Sequence, residues 1–268
     1  MLPDALFLNI HMYGIMISVG ILFCFLVLYG YGKKIKIKMD FLDFMFFNGV
    51  MSIMAGFGSA ALFQAVYDYI EDPSAGFNFD GGITFLGGLI GGAGFFLIIY
   101  FIRRRKIEGR LIDALSMVPC CITIAHAFGR VGCFFAGCCY GKESECIFAV
   151  KFPDLPNRVH PTQLYEALFL FALFGVMSYL LLKKKFRYNM SIYLVSYGIF
   201  RFLIEFLRGD HRGELVGGIS PSQFWSLGMI VLGVVVYFVM REMLKAREGE
   251  FIEAADESED EDVEPDEE

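Results

Sequence analysis

Two arginines in apolar surroundings are the first residues whose placement indicates chemistry. Arg201 lies in the run YGIFRFLIEFLRGDHRG, where a cation in hydrocarbon costs about 2.5 kcal/mol or more on insertion scales. Glu205 follows at i+4 and Arg208 at i+7, so the three side chains share one helical face. This stripe either neutralises itself in a helix packing contact or forms an anion site that faces a hydrated cavity.

Arg130 is the second such arginine, and it lies in the glycine-rich run HAFGRVGCFFAGCCYG. The density of glycine predicts a broken helix, and broken backbone at membrane depth is tolerated only where it is buried in protein or lines a watery cavity. We therefore expect a re-entrant or kinked segment over residues 129–141, whose N–H groups beside an arginine suit a phosphate. The alternative is tight helix packing with a snorkelling arginine. The glycines concerned are Gly129, Gly132, Gly137 and Gly141.

Further polar residues lie close to these two arginines along the predicted spans. Two arginines on separate segments would form a clamp for one phosphate. Glu166, about one turn inside the fifth span, is interpreted as an ion-pair partner of Arg130 or Arg201, with a packing role as the alternative. His160 lies at the mouth of that span, and Tyr13 at the start of the first span is interpreted as an interfacial anchor.

Four of the seven cysteines, Cys133, Cys138, Cys139 and Cys146, follow each other closely in the sequence, with His126 nearby. Their spacing, C-x4-C-C-x6-C, matches no standard zinc pattern, so no metal is expected. A disulfide is an alternative in an oxidising compartment, and so are thiols without a partner. A redox function for the thiols therefore stays open.

The amino-acid composition indicates which class of protein contains these residues. The 268-residue chain is 56% hydrophobic with a mean hydropathy of +0.54, which leaves too few polar residues to coat a water-soluble globule. A soluble enzyme is therefore excluded. Apolar windows long enough to cross roughly 30 Å of hydrocarbon predict an all-α, polytopic membrane fold with seven spans. The predicted spans are residues 11–31, 41–69, 84–102, 111–128, 163–182, 190–207 and 222–240.

The basic loops predict the orientation. Sixteen of the 23 basic residues fall in four loops on one side of a seven-span arrangement, which the positive-inside rule places in the cytoplasm, with the N-terminus outside. Residues 248–268 carry 13 of the 30 acidic residues and no base, so we expect a disordered cytoplasmic tail beyond a membrane domain of residues 1–247. No nucleic-acid partner is expected. The four basic loops are residues 33–38, 103–110, 183–187 and 241–247.

Six ordered blocks of this sequence resemble the prolipoprotein diacylglyceryl transferase family of bacterial inner-membrane enzymes. The resemblance implies seven spans with an outside N-terminus and no cofactor. It also implies transfer of the diacylglyceryl group of phosphatidylglycerol, a membrane lipid, to the lipobox cysteine thiol in the signal peptide of a preprolipoprotein, with release of glycerol phosphate. The blocks are HMYGIMISVG, GGITFLGGLIGG, GRVGCFFAGCCYG, HPTQLYEAL, YGIFRFLIEFLR and ISPSQFWSLGMIVLG.

By the resemblance, the signature arginine of the family corresponds to Arg130 and the sixth-span arginine to Arg201. Paired guanidinium groups would stabilise the charge that grows on the leaving phosphate. The incoming thiol must also lose its proton, since the thiolate is the nucleophile. The same blocks imply a lipid site that includes the signature glycines and the polar residues around the two arginines.

The chain departs from the family pattern at three positions. Leu86 stands where the pattern S-F-H-G-G has a histidine, Cys133 replaces an asparagine, and Cys138 replaces a glutamate. Leucine cannot carry a proton, so His126 or His160 is predicted as a substitute base. The alternatives are a lipid-binding or lipid-scrambling relative that does not catalyse transfer, and a membrane thiol-redox protein.

Overall fold

Helices make up most of the described chain. The computed structural model describes residues 11–79, 82, 84–153, 155–209 and 219–261, and of residues 75, 85 and 247–261 it describes the backbone only. The α-helices are α1 (Met12–Lys34), α2 (Met39–Glu71), α3 (Phe85–Arg103), α4 (Leu111–Ala114), α5 (Val118–Ala136), α6 (Thr162–Lys184), α7 (Asn189–Ile204) and α8 (Pro221–Glu261). Two 3-10 turns, Pro73–Ala75 and Glu205–Leu207, complete the helical elements of this part of the chain.

Seven helices of the described chain are long and apolar enough to cross a membrane: α1, α2, α3, α5, α6, α7 and α8, with mean hydropathy between 1.5 and 2.3. The predicted all-α, polytopic membrane fold is therefore confirmed. The side on which each terminus lies stays a prediction. Between α5 and α6, strands β1 (Val150–Lys151) and β2 (Arg158–Val159) form a short antiparallel ladder in which Val150 pairs with Val159.

The prediction for the fourth span was wrong in its bounds. The sequence favoured residues 111–128, whereas the spanning helix α5 begins at Val118 and ends at Ala136, and α4 forms a separate turn before it. Pro119 explains the start, because a proline in the first helical turn has no N–H to leave unpaired. The shift places Arg130 inside the spanning helix.

The prediction of a broken segment over residues 129–141 was also wrong for its first part. Helix α5 continues without interruption to Ala136, and the chain turns only at Gly137, with φ 73°. Glycines are tolerated before that point because the apolar surroundings offer the backbone no water as an alternative partner. Gly132 allows α1 to pack closely against α5, since a Cβ at this position would lie 3.1 Å from Tyr13 Cδ2.

The chain divides into two compact units, and one of them comprises Phe25–Asp113. In it, α2 and α3 pack through small residues, as membrane helices do where backbones approach closely. A Cβ on Gly92 would lie 3.1 Å from the carbonyl oxygen of Ser52. Leu86, in the first turn of α3, is 40% exposed.

The other unit comprises Met1–Cys24 and Ala114–Glu268, and it contains every predicted site residue. The buried side chain of Asn189 donates from Nδ2 to the carbonyl oxygens of Ser116 (3.0 Å) and Met177 (3.1 Å), which ties α7 to α6 and to the approach to α5. Phe169 of α6 stacks on Phe200 of α7 at 4.1 Å between ring centroids. These contacts hold α5, α6 and α7 side by side, which is the arrangement that positions the site.

The last helix, α8, runs from Pro221 to Glu261, and its part Pro221–Ala246 is the apolar span. The disorder expected of residues 248–268 stays a prediction, and residues 262–268 lie outside the described part of the chain.

Candidate active site

Arg130 forms a buried ion pair with Glu166. Its Nε lies 3.0 Å from Glu166 Oε1, and the carboxylate side chain is 2% exposed. The same Nε also donates to His126 Nε2 at 3.3 Å. His126 and Arg130 are at i and i+4 on α5, so they share a helical face that points at α6. The predicted pairing of Glu166 with one of the two arginines is confirmed, and the partner is Arg130.

Tyr197 of α7 completes this group. Its hydroxyl donates to Glu166 Oε1 at 2.7 Å, and its ring meets that of His126 edge to face at 5.0 Å between centroids. A buried carboxylate needs several polar neighbours to offset its lost hydration. Glu166 has a guanidinium and a hydroxyl within hydrogen-bond distance, and the group joins α5, α6 and α7.

Arg201 is the centre of a second polar group, four residues after Tyr197 on α7. Its Nη2 lies 2.8 Å from Glu205 Oε2 and donates to Ser222 Oγ of α8 at 2.9 Å. Glu205 Oε1 accepts from Ser220 Oγ at 2.9 Å, and Arg208 Nε lies 3.9 Å from Glu205 Oε2. The charged stripe predicted from the i+4 and i+7 spacing therefore exists.

This second group has spare hydrogen-bonding capacity. Among the described residues, Arg201 Nη1 and Glu205 Oε2 are buried and have no hydrogen-bond partner. Arg201 Nη2 and Glu205 Oε2 form an ion pair, but their contact does not have hydrogen-bond geometry. An unpaired buried donor costs roughly 1–3 kcal/mol. A ligand that accepts a hydrogen bond from Arg201 would recover that cost.

The two groups interact with each other. Tyr197 and Arg201 lie one turn apart on the same face of α7. Glu166, the partner of Arg130, also interacts electrostatically with Arg201. Both predicted arginines therefore interact electrostatically with one buried carboxylate.

The segment after α5 is anchored to the end of α7. Gly141 bridges to Arg208, and Lys142 N donates to the Leu207 carbonyl oxygen at 2.7 Å. A Cβ on Gly141 would lie 2.8 Å from His160 Cβ. Gly141 therefore serves close chain packing, in addition to any part in a lipid site. Gly129 has no atom within 4 Å of the place where a Cβ would be, so it leaves open space on α5.

Three thiols lie beside these groups. The Sγ atoms of Cys133, Cys138 and Cys139 are all within 4.8 Å of one another. Hydrogen bonds with Cys133 and Cys138, and then with Arg208, hold the pKa of the Cys139 thiol well below its ordinary value. Hydrogen bonding to Cys133 and Cys139, together with burial, raises the pKa of the Cys138 thiol. No disulfide joins any of the seven cysteines, all of which lie in the described part of the chain.

His160 belongs to a different group from the two arginines. Its Nδ1 lies 3.2 Å from Tyr165 Oη and 3.7 Å from Cys146 Sγ. His126, by contrast, is within the arginine group, but its Nε2 is the acceptor of the Arg130 contact. Both histidines predicted as substitute bases are thus engaged, and their catalytic role stays a prediction.

Sequence reasoning missed Tyr197, Ser220 and Ser222. The i−4 spacing of Tyr197 from Arg201 was a usable signal, because it places a hydroxyl on the charged face of α7. The two serines follow residues that lie outside the described part of the chain, and the sequence carried no signal that they would meet Arg201 and Glu205. Tyr13, which is 40% exposed, lies against Gly132 as a neighbour of α5.

Comparison with known proteins supports the same resemblance. A family profile described as prolipoprotein diacylglyceryl transferase matches residues 3–239. A phosphatidylglycerol–prolipoprotein diacylglyceryl transferase of Clostridium tetani is 34% identical over 240 residues, which cover 87% of this chain and 94% of that protein. A second such transferase, of Clostridium perfringens, is 32% identical over 251 residues, or 90% of this chain and 94% of the relative. One of Teredinibacter turnerae is 30% identical over 247 residues, or 88% and 83%.

Proposed function

The chain belongs to the prolipoprotein diacylglyceryl transferase family, and from that premise we propose that it catalyses the first step of lipoprotein maturation. The reaction moves the diacylglyceryl group of phosphatidylglycerol to the lipobox cysteine thiol of a preprolipoprotein and releases glycerol phosphate. It takes place at the outer face of the bacterial cytoplasmic (inner) membrane. Seven apolar helices suit an enzyme whose lipid substrate is part of the bilayer.

The observation that carries this proposal at the residue level is the buried Nη1 of Arg201, which has no hydrogen-bond partner in the part of the chain that the structure describes. The lipid phosphate is the anion that this donor would bind. Arg130, whose partner Glu166 also interacts electrostatically with Arg201, would supply a second contact. Guanidinium groups fixed in place before reaction cost little reorganisation when charge develops on the leaving oxygen. The two arginines would therefore bind the phosphate more tightly as it leaves than in the intact lipid.

Glu166 and Glu205 would act as positioning residues in this scheme. Each carboxylate fixes the orientation of one arginine and reduces the local positive charge, so that the singly charged phosphate of the intact lipid is not bound too tightly before the reaction. Tyr197 and His126 orient the Arg130–Glu166 pair from α7 and α5. The signature glycines, Gly129 above all, would leave room for the lipid beside α5.

A reconstituted transfer reaction tests the proposed function. The purified protein is placed in vesicles with a peptide that contains a lipobox cysteine, and the mass of the peptide is measured. Phosphatidylglycerol vesicles should give a peptide heavier by one diacylglyceryl group, and vesicles that contain only phosphatidylcholine should not. An unmodified peptide in phosphatidylglycerol vesicles, with a matched relative active in parallel, would contradict the proposal.

A further inference from the structure

The cluster of Cys133, Cys138 and Cys139, named here the thiol cluster, is a built feature of the fold. Gly137, with φ 73°, ends α5, and Cys138 N then donates to the carbonyl oxygen of Cys133 at 3.2 Å. Cys139 has φ 64°, a left-handed conformation that non-glycine residues rarely adopt and that costs on the order of 1–3 kcal/mol. These two left-handed residues fold the chain back and bring the second and third thiols to the first.

Helix α6 holds this turn in place. Thr162 Oγ1 donates to the carbonyl oxygen of Cys139 at 2.8 Å, and the buried Gln163 donates from Nε2 to that of Cys138. The positions of all three cysteines are thus set by hydrogen bonds of the surrounding backbone and of α6. This is the rigidity that a ligand site on a loop requires.

The separation of the three sulfur atoms fits a single metal ion. Zinc–thiolate bonds are about 2.3 Å long, so three sulfurs around one zinc ion lie about 3.8 Å apart. The thiol cluster already has its three Sγ atoms within 4.8 Å of one another. Thiolate ligands select soft or borderline d10 cations such as Zn²⁺ and Cu⁺. The spacing of the cysteines in the sequence did not predict this arrangement of sulfur atoms, because it depends on the left-handed conformations of Gly137 and Cys139.

The surroundings can offset the charge of such a site. Three thiolates with Zn²⁺ carry one net negative charge. Arg130 lies three residues before Cys133 on the same face of α5, and Gly141, two residues after Cys139, bridges to Arg208. Cys138 is exposed, whereas Cys133 and Cys139 are partly buried. A fourth ligand can therefore reach the ion from the exposed side.

We propose that the thiol cluster binds Zn²⁺ through Cys133, Cys138 and Cys139 and leaves a fourth position that takes the thiol of the incoming lipobox cysteine. The idea rests on the proposed transferase function. Three protein ligands with one open position are the arrangement of catalytic zinc sites. Zinc coordination removes the proton from a thiol. It would supply the deprotonation that was predicted for His126, whose Nε2 is engaged with Arg130, or for His160, whose Nδ1 lies 3.2 Å from Tyr165 Oη.

The proposed step balances without any oxidant or reductant. The lipobox thiol gives its proton to water as its sulfur binds Zn²⁺. The sulfur then forms a bond to the glyceryl carbon while the bond from that carbon to the phosphate oxygen breaks. Glycerol phosphate leaves with one more negative charge than the lipid phosphate had, and Arg130 and Arg201 stabilise that charge. Zn²⁺ keeps its oxidation state throughout.

Cobalt titration of the full-length protein in detergent tests the site without reference to activity. One Co²⁺ per chain should bind under reducing conditions and give sulfur-to-cobalt charge-transfer absorption. Cys133→Ser and Cys139→Ser should lose that absorption, and the matched control Cys146→Ser, whose thiol lies outside the thiol cluster, should keep it. Addition of a lipobox peptide should increase the absorption, and a peptide with serine for cysteine should not. Binding that survives Cys133→Ser, or a spectrum that the peptide thiol leaves unchanged, would overturn the proposal.

Metal removal from the unmutated protein provides a second test that does not depend on how the variants fold. Removal of zinc should reduce transfer roughly a hundredfold or more, the scale of losing the group that takes the proton of a nucleophile, and added Zn²⁺ should restore it. Full transfer by the zinc-free protein would overturn this inference and leave the transferase function intact. Absence of transfer from both forms, with cobalt binding as expected, would count against the transferase function instead.

Discussion

The two arginines of the candidate site differ in how fully their donors are used. Arg130 meets Glu166 and His126 through Nε, whereas Arg201 keeps a buried Nη1 without a hydrogen-bond partner among the described residues. We infer that Arg201 is the residue whose interactions change most when an anion binds. A buried charge with an unused donor lowers the stability of the fold, and residues of this kind in membrane proteins are typically functional.

Arg201→Gln should therefore reduce transfer roughly tenfold to a hundredfold, because one charge-assisted contact to a phosphate contributes about 1.5–3 kcal/mol. Arg201→Lys should restore only part of the rate, since an ammonium lacks the planar fork of a guanidinium. Arg158→Gln, at an exposed residue of strand β2, is the matched control and should leave the rate unchanged. The rates are measured with each variant present in the membrane at the level of the parent protein. A near-normal rate for Arg201→Gln would assign this arginine to packing alone.

Tyr197→Phe should separate positioning from direct binding. The change removes the 2.7 Å hydrogen bond to Glu166 but keeps the ring against His126. A hydrogen bond to a charged group contributes about 1.5–3 kcal/mol, so we expect a lower thermal unfolding temperature and a lower turnover, with little change in the lipid concentration that gives half the maximal rate. A large rise in that concentration would show that Tyr197 contacts the lipid itself.

At the scale of elements, the hydrophobic pattern predicted seven spans, and six of them begin within two residues of the helices observed. Charge and spacing also predicted the Arg201–Glu205 pair and a partner for Glu166, because helical neighbours at i+4 are fixed by geometry. The predicted start of the fourth span was wrong, since the mostly apolar segment 111–117 extends the hydropathy signal beyond the helix. The thiol cluster was not predictable, because it depends on the left-handed conformation of Cys139 and on hydrogen bonds from α6.

The packing of α1 against α5 offers a matched pair of glycine variants. A Cβ at Gly132 would lie 3.1 Å from Tyr13 Cδ2 and 3.2 Å from Met16 Cβ, whereas one at Gly129 would meet nothing within 4 Å. Gly132→Val should destabilise the protein by about 1–3 kcal/mol, because an overpacked contact forces the helices apart. Gly129→Ala should be neutral or slightly stabilising, since alanine is the better helix former. Thermal unfolding in detergent measures both, and equal unfolding temperatures would contradict the packing role of Gly132.

At the scale of the whole molecule, the distribution of charge predicts orientation. Sixteen of the 23 basic residues lie in four loops on one side of the seven-span arrangement. We therefore expect the N-terminus and residues 76–79 to face the outside and the acidic tail to face the cytoplasm. Single cysteines introduced by Phe79→Cys and Ser258→Cys, with the native cysteines replaced, should react with an impermeant reagent in intact cells only at position 79. Labelling at position 258 in intact cells would contradict this orientation.

Rescue of lipoprotein lipidation in cells depleted of their own transferase tests the central claim most directly, because it requires the fold, the orientation and the two arginines together. The mass of one mature lipoprotein is measured while the cells express the unmutated protein, Arg130→Gln or Arg201→Gln at equal membrane levels. We expect the unmutated protein to restore the mass of one diacylglyceryl group and each arginine variant to give a lipidated fraction lower by roughly tenfold or more. Lipidation by both arginine variants at the level of the unmutated protein, or no lipidation by the unmutated protein, would contradict the account.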